Sequence, residues 1–224
     1  MHKAAIALIL LLAASPAFAE GTSLETDSEK YSYAIGINFA QSLMRQGAPI
    51  DPDAIYMAIR DALDGSQPRL SAEDMTTALR TEAQKAGERK REMATKNLAA
   101  GKAYMETNGK KDGVTTLPNG IQYEVVRNGD GKSPKSEDRV KVHYAGTLID
   151  GREFDSSKRR GEPAEFGLGD VIKGWQEILP LMRVGSRWVV TIPPELAYGI
   201  SGAGAAIGPN ETLVFEIDLL EVIQ

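Results

Sequence analysis

The spacing of apolar residues changes once along this chain, at Gly113, and this change limits the possible folds more than any other feature. Before Gly113, apolar residues recur every three or four positions, as they do on one face of an α-helix. After Gly113, they alternate with polar residues, as they do along a strand with one buried face. The sequence therefore predicts an α+β protein, with helices in the N-terminal half and a sheet in the C-terminal half.

Three helices are predicted before Gly113. The first begins at Thr26, which forms a capping box with Glu29. The second begins at Asp51, an N-cap residue that is followed by proline at the first helical position. The third begins at Ser71 and continues for about 37 residues, which gives a helix roughly 55 Å long.

A helical dimerisation module is expected in residues 20–70, and a long linker helix in residues 71–111. The first two helices are short and amphipathic, so they cannot enclose a core by themselves. A second copy of the chain would cover their apolar faces. The sequence therefore predicts a homodimer formed through the N-terminal helices.

Residues 112–224 are expected to form the sheet domain. A hairpin turn is predicted at Asp150-Gly151, and proline at position 180 ends a short helical stretch. Strands are expected at 122–126, 140–148, 187–192 and 212–222, and the helix at 171–179. Strands around one short helix make an α+β domain of their own.

The first 19 residues have the layout of a cleavable secretory signal. Lys3 is followed by the apolar residues 4–14, by Pro16 and by the small-residue pattern Ala17-Phe18-Ala19. The alternative is a membrane anchor, but the apolar stretch is shorter than the roughly 20 residues that cross a bilayer. We therefore expect an exported protein without a membrane span, with the periplasm favoured over a surface-exposed or secreted location.

The residue inventory excludes several kinds of chemistry. The chain has no cysteine, which excludes a thiolate nucleophile, a thiolate metal site and a lipid-modified cysteine. Outside the predicted signal, His143 is the one histidine, and without a catalytic partner we expect it to be structural. Neither a metal nor another cofactor is expected. The net charge of −5 argues against nucleic acid as a partner.

Aromatic side chains are concentrated in the predicted sheet domain. They are Tyr144, Phe154, Phe166, Trp175, Trp188, Tyr198 and Phe215. Phe166 and Trp188 are expected to belong to the core. The other five are candidates either for the core or for an apolar binding pocket near the ends of strands.

Several motifs occur in an order that resembles the signature of FKBP-type peptidyl-prolyl cis/trans isomerases. They are residues 140–157, 171–175, 184–185, 197–199 and 213–215. The helical half resembles the exported, Mip-like branch of that family. This resemblance implies an antiparallel sheet wrapped on a short helix, with a proline site between them.

The resemblance also implies a function. Members of the family rotate the peptide bond before proline, so we expect a rotamase that assists the folding of exported proteins. Its partners would be unfolded or proline-containing exported polypeptides, with macrolide inhibitors as further ligands. The alternative is a periplasmic holding chaperone that uses the same groove with little catalysis.

By this resemblance, the catalytic residues would be Tyr144, Phe154, Asp155, Trp175, Tyr198 and Phe215, and the substrate-binding residues would be Val171, Ile172, Ile207 and Arg160. Trp175 would form the floor of the pocket. The Ile172 N–H and the Tyr198 hydroxyl would hold substrate carbonyls. Asp155 would orient Tyr144 and pair with Arg160, and an acid/base role for Asp155 is the alternative.

The sequence departs from the family pattern around the expected pocket. Ala164 stands where members often have an aromatic residue, and Gly208 replaces a frequent proline. Ala203 and Ala206 stand where bulkier residues can overhang the pocket. These differences bear on substrate preference and macrocycle affinity more than on activity.

Overall fold

The computed structural model describes residues 23–47 and 49–223. The predicted secretory signal, residues 1–19, lies outside the described residues. The chain divides into two compact units, with the boundary after Gln46. In the described residues, no helix has both the length and the apolar character needed to cross a bilayer.

The first unit contains one helix, α1, at Asp27–Gln46. It begins at the predicted capping box, because the Thr26 N–H donates to Glu29 Oε2 at 2.8 Å and the Glu29 N–H donates to Thr26 Oγ1 at 3.2 Å. Hydrogen bonds to the Glu29 carboxylate from the Thr26 N–H, the Thr26 hydroxyl and the Glu25 N–H hold the pKa of Glu29 below its usual value. Large apolar side chains of α1, among them Tyr31 and Phe39, are exposed.

The second unit begins with two helices. Helix α2 is Pro52–Leu63, and the Asp51 carboxylate accepts two backbone N–H groups of its first turn. Helix α3 is Ala72–Asn108, and Ser71 Oγ accepts the Asp74 N–H at 3.0 Å. Both predicted N-caps are therefore confirmed. The predicted length of α3 is confirmed as well, since the helix has 37 residues.

Seven strands follow and form one antiparallel sheet. They are β1 (Val114–Thr116), β2 (Gln122–Arg127), β3 (Arg139–Leu148), β4 (Glu153–Ser156), β5 (Ala164–Gly167), β6 (Arg187–Ile192) and β7 (Leu213–Ile223). Their order is β1-β2-β6-β7-β3-β4, and β5 pairs with β3 along the same edge as β4. The four predicted strands correspond to β2, β3, β6 and β7, with nearly the same ends.

Strand β3 has partners on both sides. One side pairs with β7 over its whole length, while the other pairs first with β5 and then with β4. Alternate residues from Val140 to Leu148 are buried, as the alternation in the sequence predicts. Tyr144 therefore lies in the middle of the strand on the buried face.

Two short helices interrupt the sheet: α4 at Ser157–Arg160 and α5 at Lys173–Ile178. The predicted helix at 171–179 is α5 with shorter ends, because a 3₁₀ turn at Leu179–Leu181 follows it. Trp175 and Ile178 of α5 are buried in the core, together with side chains of β3, β6 and β7: Val140, Val142, Val190, Ile192, Leu213 and Ile217. The expected sheet wrapped on a short helix is confirmed.

The C-terminal half of α3 packs against the sheet. Gln122 on β2 donates from Nε2 to the Met105 carbonyl at 2.8 Å, and Asn108 Nδ2 donates to Gln122 Oε1 at 3.0 Å. Gly101 is buried, and a Cβ at this position would collide with the Thr212 side chain. Glycine costs a helix about 1 kcal/mol relative to alanine. Because Gly101 has no side chain, α3 can lie close to Thr212 beside the sheet.

A buried carboxylate lies at the other end of the sheet. Asp218 on β7 is 3% exposed and accepts hydrogen bonds from Arg187 Nε at 2.6 Å and Arg127 Nη2 at 3.2 Å. Lys158 Nζ lies 3.1 Å from its other oxygen. Burial opposes the charge of Asp218, but the hydrogen bonds from Arg187 and Lys158 outweigh burial and lower the pKa of the carboxyl.

We predict that Asp218→Asn lowers the free energy of unfolding at pH 7 by about 2 kcal/mol, because it weakens hydrogen bonds between charged groups. The lowered pKa means that the stabilisation is complete above the unfolded value of about 3.9 and is lost as the pH falls through the folded value. The difference between the two proteins should therefore shrink below about pH 4. Urea unfolding at several pH values measures it.

The matched control is Asp64→Asn, which breaks an exposed ion pair with Arg60. An exposed pair contributes about 0.5 kcal/mol or less. Equal losses of stability in the two variants at pH 7 would contradict the structural importance of the buried cluster.

Candidate active site

A cavity of about 270 Å³ opens between α5 and the sheet. It is lined by Tyr144, Phe154, Asp155, Phe166, Asp170, Val171, Ile172, Trp175, Tyr198 and Phe215. These residues come from five parts of the chain that are distant in sequence. The pocket therefore exists only when the sheet and α5 are assembled.

Regular elements position most of the lining. Tyr144 lies on β3 and Phe215 on β7, where Gly146 of β3 pairs with Phe215. A Cβ on Gly146 would come within 2.9 Å of the Phe215 ring and 2.6 Å of the Phe154 ring. Glycine at 146 therefore leaves space for both rings at one wall of the pocket.

Trp175 is the centre of an edge-to-face cluster of rings. Its ring meets the rings of Tyr144, Phe166 and Phe215 at centroid distances of 5.4, 5.8 and 5.3 Å, all nearly perpendicular. Such pairs each contribute about 0.5–1.5 kcal/mol beyond the burial of area. Trp175 is 4% exposed. It is therefore a rigid floor, whereas Tyr198, at 39% exposure, forms part of the rim.

A polar cluster occupies one side of the cavity. Asp155 accepts hydrogen bonds from the Tyr144 hydroxyl and from Arg160 Nη1, and Arg160 Nη2 lies 3.1 Å from the Tyr144 hydroxyl oxygen. Arg160 belongs to α4, whose first turn is capped by Ser156 and which ends at Gly161 in the left-handed conformation. Helix α4 therefore places the Arg160 guanidinium against the Asp155 carboxylate, outside the cavity lining.

The environment keeps these groups in fixed protonation states. Partial burial opposes the charge of Asp155, but hydrogen bonds from Tyr144 and Arg160 outweigh it and lower the pKa of the carboxyl. Burial raises the pKa of Tyr144, and the bond to Asp155 raises it further. Burial also raises the pKa of Tyr198. At neutral pH Asp155 is therefore a carboxylate and both phenols are neutral.

The structure brings the predicted site residues together with two exceptions. Arg160 lies outside the lining and contacts the pocket through Asp155 and Tyr144. Ile207 is also outside the lining and is buried in the core. Phe166, expected only in the core, and Asp170, which was not predicted, both line the cavity. The sequence signal that could have placed Asp170 in the lining is its position directly before the predicted site residue Val171.

His143 lies outside the pocket lining. Its Nδ1 is 3.1 Å from Ser157 Oγ, which accepts the Tyr144 N–H at 2.8 Å. Ser157 is fully buried, so this serine cannot reach a substrate. Among the described residues, no group of three histidine, cysteine or acidic side chains is arranged to hold a metal ion.

Family models match both halves of the chain. The model described as FKBP-type peptidyl-prolyl cis-trans isomerase matches residues 131–220. The model described as the domain amino terminal to FKBP-type peptidyl-prolyl isomerase matches residues 28–125.

Similar proteins extend over nearly the whole chain. The FKBP-type 22 kDa peptidyl-prolyl cis-trans isomerase of Escherichia coli K12 is 46% identical, over 90% of this chain and 98% of that protein. The outer membrane protein MIP of Legionella longbeachae is 42% identical, over 98% and 97%. The crystal structure of FkpA from Escherichia coli matches with a TM-score of 0.65 at 37% identity, over 90% and 99%. The chain therefore belongs to the FKBP-type peptidyl-prolyl cis-trans isomerase family.

Proposed function

We propose that the protein catalyses cis/trans isomerisation of X-Pro bonds in the pocket over Trp175, and that it assists the folding of exported polypeptides. The observation that carries this proposal is the aromatic cavity, whose lining contains no cysteine, serine, histidine or lysine. Rotation about a peptide bond is a reaction that such a site can accelerate without a nucleophile.

The physical basis is the charge distribution of the imide. Its planar ground state delocalises the nitrogen lone pair into the carbonyl, and this gives a barrier of roughly 18–20 kcal/mol. The twisted transition state is less charge-separated than the planar form. An apolar pocket therefore disfavours the planar form relative to the twisted form, and neither a nucleophile nor a proton transfer is required.

The lining residues have distinct proposed roles. The proline ring would rest on Trp175, between Phe154, Phe215 and the side chain of Val171. The Ile172 N–H and the Tyr198 hydroxyl would hold substrate carbonyls. The same apolar cavity would accept macrolide inhibitors.

Asp155 is proposed to orient Tyr144, with Arg160 neutralising its charge. The acid/base alternative is disfavoured because hydrogen bonds already occupy both carboxylate oxygens and the lowered pKa makes Asp155 a poor base at neutral pH.

The N-terminal helices are proposed to form a homodimer. Tyr31, Ile35 and Phe39 recur at i, i+4 spacing on α1 and are 47–70% exposed. In the second unit, α2 and the start of α3 enclose an apolar groove of about 490 Å³, lined by Met57, Leu70 and Met75 among others. A second copy would cover apolar surface of this kind and remove it from water.

Export to the periplasm is proposed from the signal-like residues 1–19. This location would place the enzyme among unfolded exported chains, where proline isomerisation takes tens to hundreds of seconds without a catalyst.

We predict that Phe154→Ala and Tyr198→Ala each lower kcat/KM on an X-Pro tetrapeptide by about tenfold or more, since losing an apolar wall costs about 1–3 kcal/mol of transition-state stabilisation. Asp155→Asn should lower it less. A protease-free isomerisation assay measures these rates. Val126→Ala, an exposed apolar position on β2, serves as the control and should be neutral.

If the folded wild-type protein is inert on several X-Pro peptides yet prevents aggregation of an unfolded protein, the holding-chaperone alternative replaces the enzyme.

We predict that kcat/KM is independent of pH from about 5 to 9. Asp155 has a lowered pKa and stays ionised above this lower limit, and Tyr144 and Tyr198 have raised pKa values and stay neutral below the upper limit. The same assay in overlapping buffers measures the profile. A step in this range that Asp155→Asn abolishes would establish proton transfer by Asp155 and refute the rotation mechanism as described.

We predict that the protein is a dimer at micromolar concentration and that the double variant Ile35→Asp, Phe39→Asp is a monomer, because buried charges in the interface would be unpaired. Light scattering measures the mass. Gln41→Asp, at an exposed polar position of α1, should remain a dimer.

The monomeric variant should keep full activity on a tetrapeptide. At equal pocket concentration, it should accelerate proline-limited refolding of a protein much less than the dimer does. Two pockets in one dimer can bind one chain at two places, and the second contact forms at an effective concentration that reaches about the millimolar range. Equal refolding rates at equal pocket concentration would show that dimerisation does not assist the substrate.

A further inference from the structure

The loop between β6 and β7 carries one wall of the pocket. We call residues 198–212 the rim loop. Its first residue, Tyr198, lines the cavity, and its last residue, Thr212, leads into β7. Among the described residues, no hydrogen bond fixes the Tyr198 hydroxyl. The position of this side chain therefore depends on the backbone of the rim loop.

Internal bonds tie the two ends of the rim loop together. The Asn210 N–H donates to the Gly199 carbonyl at 2.8 Å. Ala203 and Ile207 exchange two backbone hydrogen bonds, at 2.9 and 3.1 Å. Asn210 has a φ of 54°, the single positive value found for a non-glycine residue in the described chain. These bonds connect the start of the rim loop to its end, so a displacement of Asn210 would also displace Gly199 and the neighbouring Tyr198.

Helix α3 forms hydrogen bonds with the rim loop at Pro209 and Asn210. Asn97 Nδ2 donates to the Pro209 carbonyl at 2.9 Å, and Asn210 Nδ2 lies 3.5 Å from the Ala94 carbonyl. The two asparagines therefore form reciprocal bonds between helix and loop. Ala94 is 4% exposed, so the helix is in close contact at this turn.

Two further contacts extend along the same side of α3. Gly208 faces Asn97, because a Cβ on Gly208 would lie 3.2 Å from Asn97 Nδ2. One turn before Ala94, Lys90 Nζ lies 3.4 Å from the Ser201 carbonyl. Helix α3 therefore contacts the rim loop near Ser201 as well as near Gly208.

We infer that α3 is a positioning element of the active site, and that Asn97 sets the place of Tyr198 through the rim loop. The connection runs from Asn97 to the Pro209 carbonyl, through Asn210 to the Gly199 carbonyl, and so to Tyr198 one residue before. This inference rests on the proposed function. It makes the helix predicted as a linker part of the catalytic unit.

The expected effect follows from the sensitivity of a pocket to misplacement. A shift of about 1 Å in a substrate-positioning group costs up to 100-fold in rate. Exposed loops without tertiary anchors are more mobile than the elements that they connect. Releasing the rim loop from α3 would leave Tyr198 in place for only part of the time.

The test is Asn97→Asp in the full chain. This change keeps the size of the side chain but places an oxygen opposite the Pro209 carbonyl, where an N–H had donated. We expect kcat/KM on an X-Pro tetrapeptide to fall about fivefold, which corresponds to one hydrogen bond of about 1 kcal/mol. Hydrogen exchange should accelerate at Ala203, Ile207 and Asn210 but not in β3.

The matched control is Asn108→Asp, the same substitution on the same helix, where the side chain contacts Gln122 on β2. It should leave kcat/KM unchanged even if it lowers stability equally. Asn210→Asp is the second variant, because it breaks the bond to the Ala94 carbonyl while aspartate still tolerates a positive φ. It should lower kcat/KM by a similar factor, so the inference stays testable if Asn97→Asp fails to fold.

A double-variant comparison separates positioning from general destabilisation. In a Tyr198→Ala background, Asn97→Asp should cause no further loss of activity, since there is no side chain left to position. Additive losses, or equal losses in the Asn97 and Asn108 variants, would overturn the inference. An inert wild type would instead refute the proposed function.

Discussion

Helix α5 is only six residues long, yet it supplies the indole against which the rings of β3, β5 and β7 pack. Three nearly perpendicular ring contacts converge on Trp175, so neither the helix nor the strands can shift without losing several of them at once. The same contacts make the floor and walls of the cavity. Core packing and the active site are therefore one structure, and the stability of the domain fixes the shape of the pocket.

Charged side chains lie beside this aromatic centre, since Asp155 and Asp170 line the cavity. Arg160 approaches Asp155 from α4, outside the cavity lining, and leaves the carboxylate paired on the pocket side. The buried carboxylate of Asp218 is held by three cations at a separate part of the sheet. A reaction that needs a low-polarity environment is thus compatible with a domain rich in ion pairs, because Asp155 is paired with Arg160 and the Asp218 cluster lies outside the cavity lining.

Much of this arrangement could be predicted from the sequence. The alternation from Val140 to Leu148 gave the long strand β3, and the capping residues gave the starts of the helices. Strands β4 and β5 are too short to show a period, and their pairing with β3 is decided by tertiary structure. For the same reason Phe166 was placed only in the core, although from β5 its ring also reaches the cavity. The contacts of Gly101 and Asn97 were equally invisible, because a surface-like position on a helix acquires its partner only when the chain folds back.

The two tryptophans of the chain have different surroundings. Trp175 lies under the pocket with an indole N–H that makes no hydrogen bond among the described residues, whereas Trp188 stacks on Tyr123 at 4.4 Å, outside the cavity lining. A molecule that enters the cavity would change the environment of the first indole and leave the second unaffected. The protein consequently carries its own optical reporter of occupancy, with an internal reference for the folded sheet, and intrinsic fluorescence can follow ligand binding without any attached dye.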